Sequence, residues 1–429
     1  MATEDKPVLR IARIEVQGLF GLFNHVIDLN LDSRVTVLHG PNGVGKTTLL
    51  RMLVALTTNS TEAVANIPFT RLRVSLTDDT VMTVDALVEV RPANLDEGIS
   101  ETATKKLTFH FSDEDVVRNF TKQSSIDSNY TERFREERWL GNGTSGSIRL
   151  HKFFGTAQTY FIRAQRLFYT SDLKNHPDIE TPAELVTRPG VWAIASDLQK
   201  QINRATIRHA RLAEQLDQSF PNRLLQSPER TVAIDALRTR LQALEARRTT
   251  LQKLGILGDS TAKPLDRDVL TKLTPAQGSV MTLYAEDNEK KLDLFNELAT
   301  KTELFLRIIN KRFLRKTVRA DREQGLQILG HDGQPIELRA LSSGEQHQLV
   351  MFYDLLFRTP AGALVLIDEP ELSQHVVWQR QFLPDLLEIV RIAGIDALVA
   401  THSPSIIGGH HDLLVALSPD DDDSDAATP

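Results

Sequence analysis

The chain has no cysteine. That excludes disulfides and thiolate metal sites, and nothing in the sequence implies secretion. No apolar run approaches the roughly 18 residues a membrane helix needs, and the N-terminus lacks a signal-peptide pattern. The expected compartment is the cytoplasm, with no membrane partner. An excess of positive charge is missing too. The net charge is −7, and Asp420–Asp423 with Asp425 supply five negative charges, leaving −2 for the rest. Such acidity argues against a blanket nucleic-acid binder, so any such surface is expected to be local. The acidic run within 419–429 reads as a solvated, disordered tail; as a metal site it lacks flanking strands or a distant carboxylate partner. What is present is ordinary: 429 residues, 41% hydrophobic and 25% charged, enough for a sizeable core and two or three lobes.

One stretch organises the chain: Gly40-Pro41-Asn42-Gly43-Val44-Gly45-Lys46-Thr47-Thr48. It follows an apolar run, Val35 to Leu38, and precedes a helical stretch, Thr47 to Leu56. Strand, glycine loop and helix are the setting of a phosphate-binding P-loop. The glycines let successive N–H groups face one concavity, and the helix adds unsatisfied N–H groups and its positive end. Lys46 is expected to reach the β- and γ-phosphates and the Thr47 hydroxyl to ligate Mg²⁺. Asn42, Gly43, Gly45, Lys46, Thr47 and Thr48 are the candidate nucleotide-binding residues. A chance glycine turn does not account for the full spacing with both flanks in place. The chain is expected to bind a nucleoside triphosphate.

Around the loop, Val8 to Val16, His25 to Leu31, Arg71 to Leu76, Val81 to Val90 and Lys106 to Phe111 read as antiparallel strands. Residues 112–150 are polar and charge-mixed and read as a mobile insertion. Thr159 to Arg166 reads as a strand that places Gln165 between two arginines. Leu198, Ile202, Ala205, His209, Leu212 and Leu216 then recur at alternating spacings of 4 and 3, as do Ile234, Leu237, Leu241, Leu244, Arg248 and Leu251. With Pro221 to Glu229 between them, these predict a short antiparallel coiled-coil hairpin, Ser196 to Leu254, with arms of about 35–40 Å. A second reading is two ordinary helices packed on a lobe. Another apolar-periodic helix is expected over Val280 to Phe313.

The second decisive region begins at Leu341-Ser342-Ser343-Gly344-Glu345-Gln346, which heads a helix to about Phe357. Ala363 to Ile367 is a buried parallel strand ending in Asp368-Glu369-Pro370, and the strand Ala397 to Ala400 ends in Thr401-His402-Ser403. An apolar strand ending in Asp-Glu is a Walker B: Asp368 would hold Mg²⁺, and Glu369 would orient and deprotonate the attacking water. His402 is placed to touch the γ-phosphate, and Gln165 to bridge metal and water. The serines have a plainer reading, because Ser342/Glu345 and Ser343/Gln346 both have capping-box spacing. A cap does not explain why it falls just before a Walker B.

GPNGVGKT, LSSGEQ, LVLIDEP and ATHS, in that order, resemble ABC-type ATPases of the SMC and RecF kind, over roughly 1–60, 155–170 and 335–418. FGLF, AQRL, LSSGEQHQL and DEPELSQHVVWQRQFL are similar to the OLD-nuclease group and to ATPase subunits of PARIS-type anti-phage systems. The resemblance implies an α/β ABC-type P-loop NTPase head, with a mixed sheet, antiparallel N-terminal strands and an inserted coiled-coil hairpin. Expected divisions are an N-terminal ATPase lobe (1–170), a helical insertion (171–275), a C-terminal ATPase lobe (276–418) and the tail. It also implies a nucleotide sandwich between two copies, Ser342 and Gly344 of one closing on the triphosphate held by Gly43, Lys46 and Thr47 of the other. ATP and Mg²⁺ are the implied cofactors.

Two features depart from the pattern. Ser373-Gln374-His375 stands where many relatives carry Ala-Leu-Asp in the D-loop. The chain also ends soon after Leu417, which leaves no room for a fused Toprim nuclease, so a nuclease effector is expected as a separate polypeptide. The implied function is an ATP-hydrolysing scaffold and sensor controlling that effector in anti-phage defence. Alternatives are a RecF-like DNA-repair ATPase and a non-catalytic module that sequesters a partner. Residues 301–322 carry eight basic side chains against two acidic ones, which reads either as a DNA-contacting surface or as a solvated face. The hairpin is the expected carrier of assembly or effector contacts.

Overall fold

The computed structural model describes residues 9–58, 60–91, 102–111, 115–123, 135–136, 150, 153–154, 159–162, 168–169, 188–226, 234–258, 274–372 and 375–418. The chain divides into two compact units, Met1–Gln165 with Arg358–Pro429, and Arg166–Phe357. The division differs from the expected lobes, because the Ser342–Gln346 stretch shares a unit with the helices while Walker B shares one with the P-loop.

In the first unit a seven-stranded antiparallel sheet has the order β2-β1-β4-β5-β6-β7-β8. Its strands are β1 (Ile11–Leu19), β2 (Phe23–Asp28), β4 (Arg71–Leu76), β5 (Val81–Arg91), β6 (Thr102–His110), β7 (Asp115–Gln123) and β8 (Arg135–Glu136). β7 and β8 correct the expected insertion: parts of 112–150 extend the sheet, Leu150 is buried in the apolar core, and the rest of that stretch lies outside the described residues. β7 pairs with β6 along nine residues, and Val116 packs against the apolar core of the unit.

A second, wholly parallel sheet has the order β17-β3-β16-β15-β9. It comprises β3 (Val35–His39), β9 (Thr159–Ile162), β15 (Leu364–Asp368), β16 (Asp396–Thr401) and β17 (Leu414–Ala416). β3 and β15 are buried at every position but the last and β16 throughout, which is why they read as continuous apolar runs. Helix α1 (Lys46–Thr57) supplies Leu49, Leu50, Met52, Leu53 and Leu56 to one apolar cluster shared with Ile14 and Val16 of β1 and Leu366 and Leu398 of the parallel sheet. Short α2 (Thr61–Ala65) follows it. Arg10 ties the start of β1 to the start of β16 through a two-pronged ion pair with the buried Asp396, at 2.6 and 2.5 Å.

The second unit contains the short pair β10 (Phe168–Tyr169) and β11 (Arg188–Pro189), and helices α3 (Gly190–Gln226), α4 (Ile234–Lys253), α5 (Pro275–Asp293) and α6 (Asn296–Arg312). These are followed by the antiparallel β12 (Lys316–Asp321), β13 (Gly325–Gly330) and β14 (Pro335–Ile336), then α7 (Ser343–Tyr353). The two heptad-bearing helices form, but not as a hairpin of their own. α4 packs on α5, while α3 packs on β13, α5 and α7. Ion pairs mark the same arrangement: Arg223 of α3 holds Asp287 at 2.6 Å, and Arg240 of α4 holds Glu289, both acceptors on α5. Heptad spacing fixes which face is buried and not which helix covers it, so ordinary helices packed on a lobe is the description that fits. The His209 ring lies 5.3 Å from that of the buried Phe295, between α5 and α6, at a tilt of 40°, and burial, with Lys291 and Arg248 nearby, lowers its pKa. Pro221 does not end α3. One turn earlier, Ser219 Oγ and Arg223 Nη2 both donate to the Leu216 carbonyl, supplying side-chain donors near where proline withdraws its own. The helix expected over 280–313 is two helices, broken at Leu294–Phe295.

Candidate functional site

The parallel sheet brings together three of the sequence motifs, the P-loop, Asp368-Glu369 and His402. β16 lies between β3 and β15, with Thr401 opposite His39 and Ala400 opposite Asp368, so all three strands end at one level. The P-loop, the Asp-Glu pair and His402 each begin where one of these strands ends, the position where open α/β sheets bind ligands.

Gly43 and Gly45 adopt φ of 90° and 94°, and Gly45 caps α1. A Cβ on Gly45 would lie 2.4 Å from Leu19 Cδ2, and one on Gly40 2.3 Å from the Leu417 carbonyl oxygen. The glycines therefore serve both the turn and the close passage of neighbouring chain. Lys46 is 95% buried; its Nζ donates to the carbonyls of Gly40 (2.8 Å) and Pro41 (2.9 Å) and to His402 Nδ1 (3.2 Å). Burial lowers its pKa despite the opposing pull of Glu369, Glu371 and Asp368. The Thr47 hydroxyl donates to Asp368 Oδ1 at 2.9 Å, closing the step between helix and Walker B strand. Burial raises the pKa of Asp368, and Glu371 adds to the rise; the Thr47 hydrogen bond, Arg51 and His402 oppose it.

Glu369 lies at φ 45°, a left-handed conformation costing about 1–2 kcal/mol for a side chain of its kind, and its N–H bonds the Ala400 carbonyl at 2.9 Å. Its Oε1 lies 3.7 Å from His402 Nε2. The structure thus brings Lys46, Thr47, Asp368, Glu369 and His402 into contiguous contact. Asn42 and Thr48 stand in the same loop and first helical turn; Gln165, Ser373 and Gln374 lie outside the described residues.

The chain belongs to the AAA ATPase domain family. That family matches residues 10–407. No curated protein matches the chain. Among solved structures it is similar to the Smc head domain of Pyrococcus furiosus with an extended coiled coil bound to the C-terminal domain of ScpA (14% identity, 96% of this chain and 94% of that one, TM-score 0.40). It is also similar to the SMC head domain of Thermotoga maritima (12% identity, 95% of each chain, TM-score 0.35).

For this AAA ATPase domain the metal question is answered by chemistry of the donors. Among the described residues no group of three or more His, Asp or Glu side chains is placed to hold an ion alone. One hydroxyl and one carboxylate 2.9 Å apart suit Mg²⁺, which keeps waters and phosphate oxygens as its remaining ligands. The residues fit the ion.

In the second unit Ser342 is the N-cap of α7. Its Oγ accepts from Glu345 N at 3.3 Å and donates to Glu345 Oε2 at 2.9 Å, which also accepts from Ser342 N at 2.9 Å. Of the two capping spacings only this one is used; Gln346 Nε2 donates instead to the Leu341 carbonyl. Ser342 is exposed and Gly344 half-buried. Several members of the basic run are engaged internally, among them Lys301 with Glu297, Lys316 with Glu345, and Arg312 over the Phe352 ring at 4.6 Å.

Sequence reasoning missed Glu371, whose Oε1 accepts from Thr401 Oγ1 and His402 N. The signal was a third carboxylate three residues after Asp368.

Proposed function

We propose that the chain is an ATP-hydrolysing, ABC-type head that assembles on ATP and controls a separate effector in prokaryotic anti-phage defence. The hydrolytic part rests on one observation: Lys46, Thr47, Asp368, Glu369 and His402 converge at the ends of three adjacent parallel strands. In this reading Asn42, Gly43, Gly45, Lys46, Thr47 and Thr48 hold the triphosphate, and Thr47 and Asp368, with Gln165 as a bridge to water, hold Mg²⁺. The bound ion supplies charge neutralisation at phosphoryl oxygens. Lys46 exchanges its carbonyl acceptors for anionic phosphate oxygens, which bind an ammonium more strongly. Glu369 orients the attacking water and takes its proton, the positioning work that phosphoryl transfer requires. His402 then stands over the γ-phosphate. Ser342 and Gly344 of a second copy close the site, offering an exposed helix N-terminus to the anion.

The defence role rests on the resemblance of LSSGEQHQL and DEPELSQHVVWQRQFL, and the effector it implies is a Toprim-type nuclease. DNA contact is supported less than composition suggested, since Lys301, Arg312 and Lys316 serve the fold. The test of ATP-driven assembly is size-exclusion of Glu369→Gln with Mg²⁺ and ATP. A shift to a dimer or larger species, absent without nucleotide, supports the reading; identical elution with and without ATP refutes it.

A further inference from the structure

The ATPase chemistry leaves Glu371 unassigned. Its Oε1 accepts from the Thr401 hydroxyl at 2.8 Å and from the His402 N–H at 2.9 Å. Its Oε2 is buried and has no hydrogen-bond partner among the described residues, so the carboxylate's directed bonds all go to the His402 turn. A charged acceptor on a backbone N–H is roughly twice as strong as a neutral one. The far side of the turn is held as well: Thr401 Oγ1 accepts from Ser403 N at 3.0 Å, and Ser403 Oγ donates to Gln379 Oε1 at 2.8 Å. Thr401 itself is wholly buried.

With its backbone held in this way, His402 faces two groups of the site at once. Lys46 is a donor only, so its contact at Nδ1 makes that nitrogen the acceptor and leaves the ring proton on Nε2, toward Glu369. Displacing the turn by an ångström would break both relations, a scale of misplacement that costs an enzyme about 100-fold.

We infer that Glu371 is a positioning residue for hydrolysis: through the Thr401–His402 turn it sets His402 between Lys46 and Glu369, without itself touching nucleotide. This rests on the ATPase reading above. The two separate experimentally, because a wild-type protein that releases no phosphate defeats that reading, whereas an active wild type unaffected at Glu371 defeats only this inference.

Steady-state phosphate release with Mg²⁺ and ATP is measured for wild type, Glu371→Ala, Glu371→Gln, Thr401→Val and His402→Ala, and for Glu371→Ala combined with His402→Ala. Glu371→Ala is expected to lower kcat about 10- to 100-fold while KM for ATP stays within about threefold. Glu371→Gln keeps an acceptor oxygen and should fall between it and wild type; Thr401→Val, which deletes one donor, should also lower kcat. These two gentler variants carry the test if the alanine variant does not fold. The double variant should be no slower than His402→Ala alone. Additive losses would give Glu371 a role independent of His402, and an unchanged kcat in an active protein would remove its role altogether. Either result overturns the inference.

Discussion

Removing the Glu345 carboxylate should destabilise the second unit by a calculable amount. Glu345 is buried and bonds in two directions: to Ser342 N and Oγ as a capping box, and to Lys316 Nζ at 2.8 Å from each oxygen. The capping box is worth about 1 kcal/mol. The pair with Lys316, whose side chain is a quarter exposed and so partly rehydrates, adds about 1–2 kcal/mol. Glu345→Ala should therefore cost about 2–3 kcal/mol, and Glu345→Gln, which keeps an acceptor for Ser342, about 1–2 kcal/mol. Urea unfolding followed by Trp192, in a background with Trp139 and Trp378 changed to Phe, reads the unit that contains α7. In the double variant with Lys316→Met the losses should be less than additive by about 1 kcal/mol. Burial raises the Glu345 pKa, but the Lys316 and Ser342 bonds outweigh it and leave the group below its usual value. A depressed carboxylate stabilises the fold at neutral pH and loses that contribution as pH falls through its folded pKa, so the wild-type advantage should vanish in acid. A loss below about 0.5 kcal/mol at pH 7, or full additivity, would refute the assignment.

Two further outcomes follow from local geometry. Gly45→Ala must place a Cβ against the buried Leu19 at φ 94°, whereas Gly43→Ala at φ 90° meets no atom within 4 Å; calorimetric ATP affinity should fall further for Gly45→Ala, and equal losses would contradict the packing account. Lys105 is 98% buried, donates to the Ile67 carbonyl and lies 4.7 Å over Phe69, and burial lowers its pKa to about 8. The unfolded chain binds the extra proton between about pH 8 and 10.4, so wild-type stability should rise there relative to Lys105→Met, by up to about 3 kcal/mol; a flat difference would place the ammonium in water.

Much of the site was legible because each motif lies where an apolar strand stops, a local pattern. The P-loop, Asp368-Glu369 and His402 needed only their own flanks, and the sheet order then supplied their proximity. Long-range pairing was not legible. Nothing near Lys46 announces the His402 ring, and nothing near Glu371 announces Thr401, because each contact depends on two strands being neighbours. The helices show the same limit. Leu198 to Ala205 and Leu237 to Leu251 mark largely buried faces, while Leu212 and Leu216 are half-buried; α5 covers these faces in part, and its own sequence carries no complementary heptad. β7 escaped notice because its sequence from Asp115 to Gln123 carries little apolar alternation, and its place depends on a ladder with β6 that is visible only in the fold. Pro221 was read as a break because its missing N–H is local, while the side chains that donate within that turn are not part of any propensity.

The most direct measurement is phosphate release from ATP by the purified full chain, with and without Mg²⁺, beside Glu369→Gln and Lys46→Ala. Turnover by wild type only with Mg²⁺ is the predicted result. Glu369→Gln should keep nucleotide affinity but lose at least about 100-fold in rate, since its amide cannot take a proton from water. Lys46→Ala should lose affinity itself. Wild-type turnover in Glu369→Gln would move the base elsewhere, and no release by wild type would contradict the account at its centre.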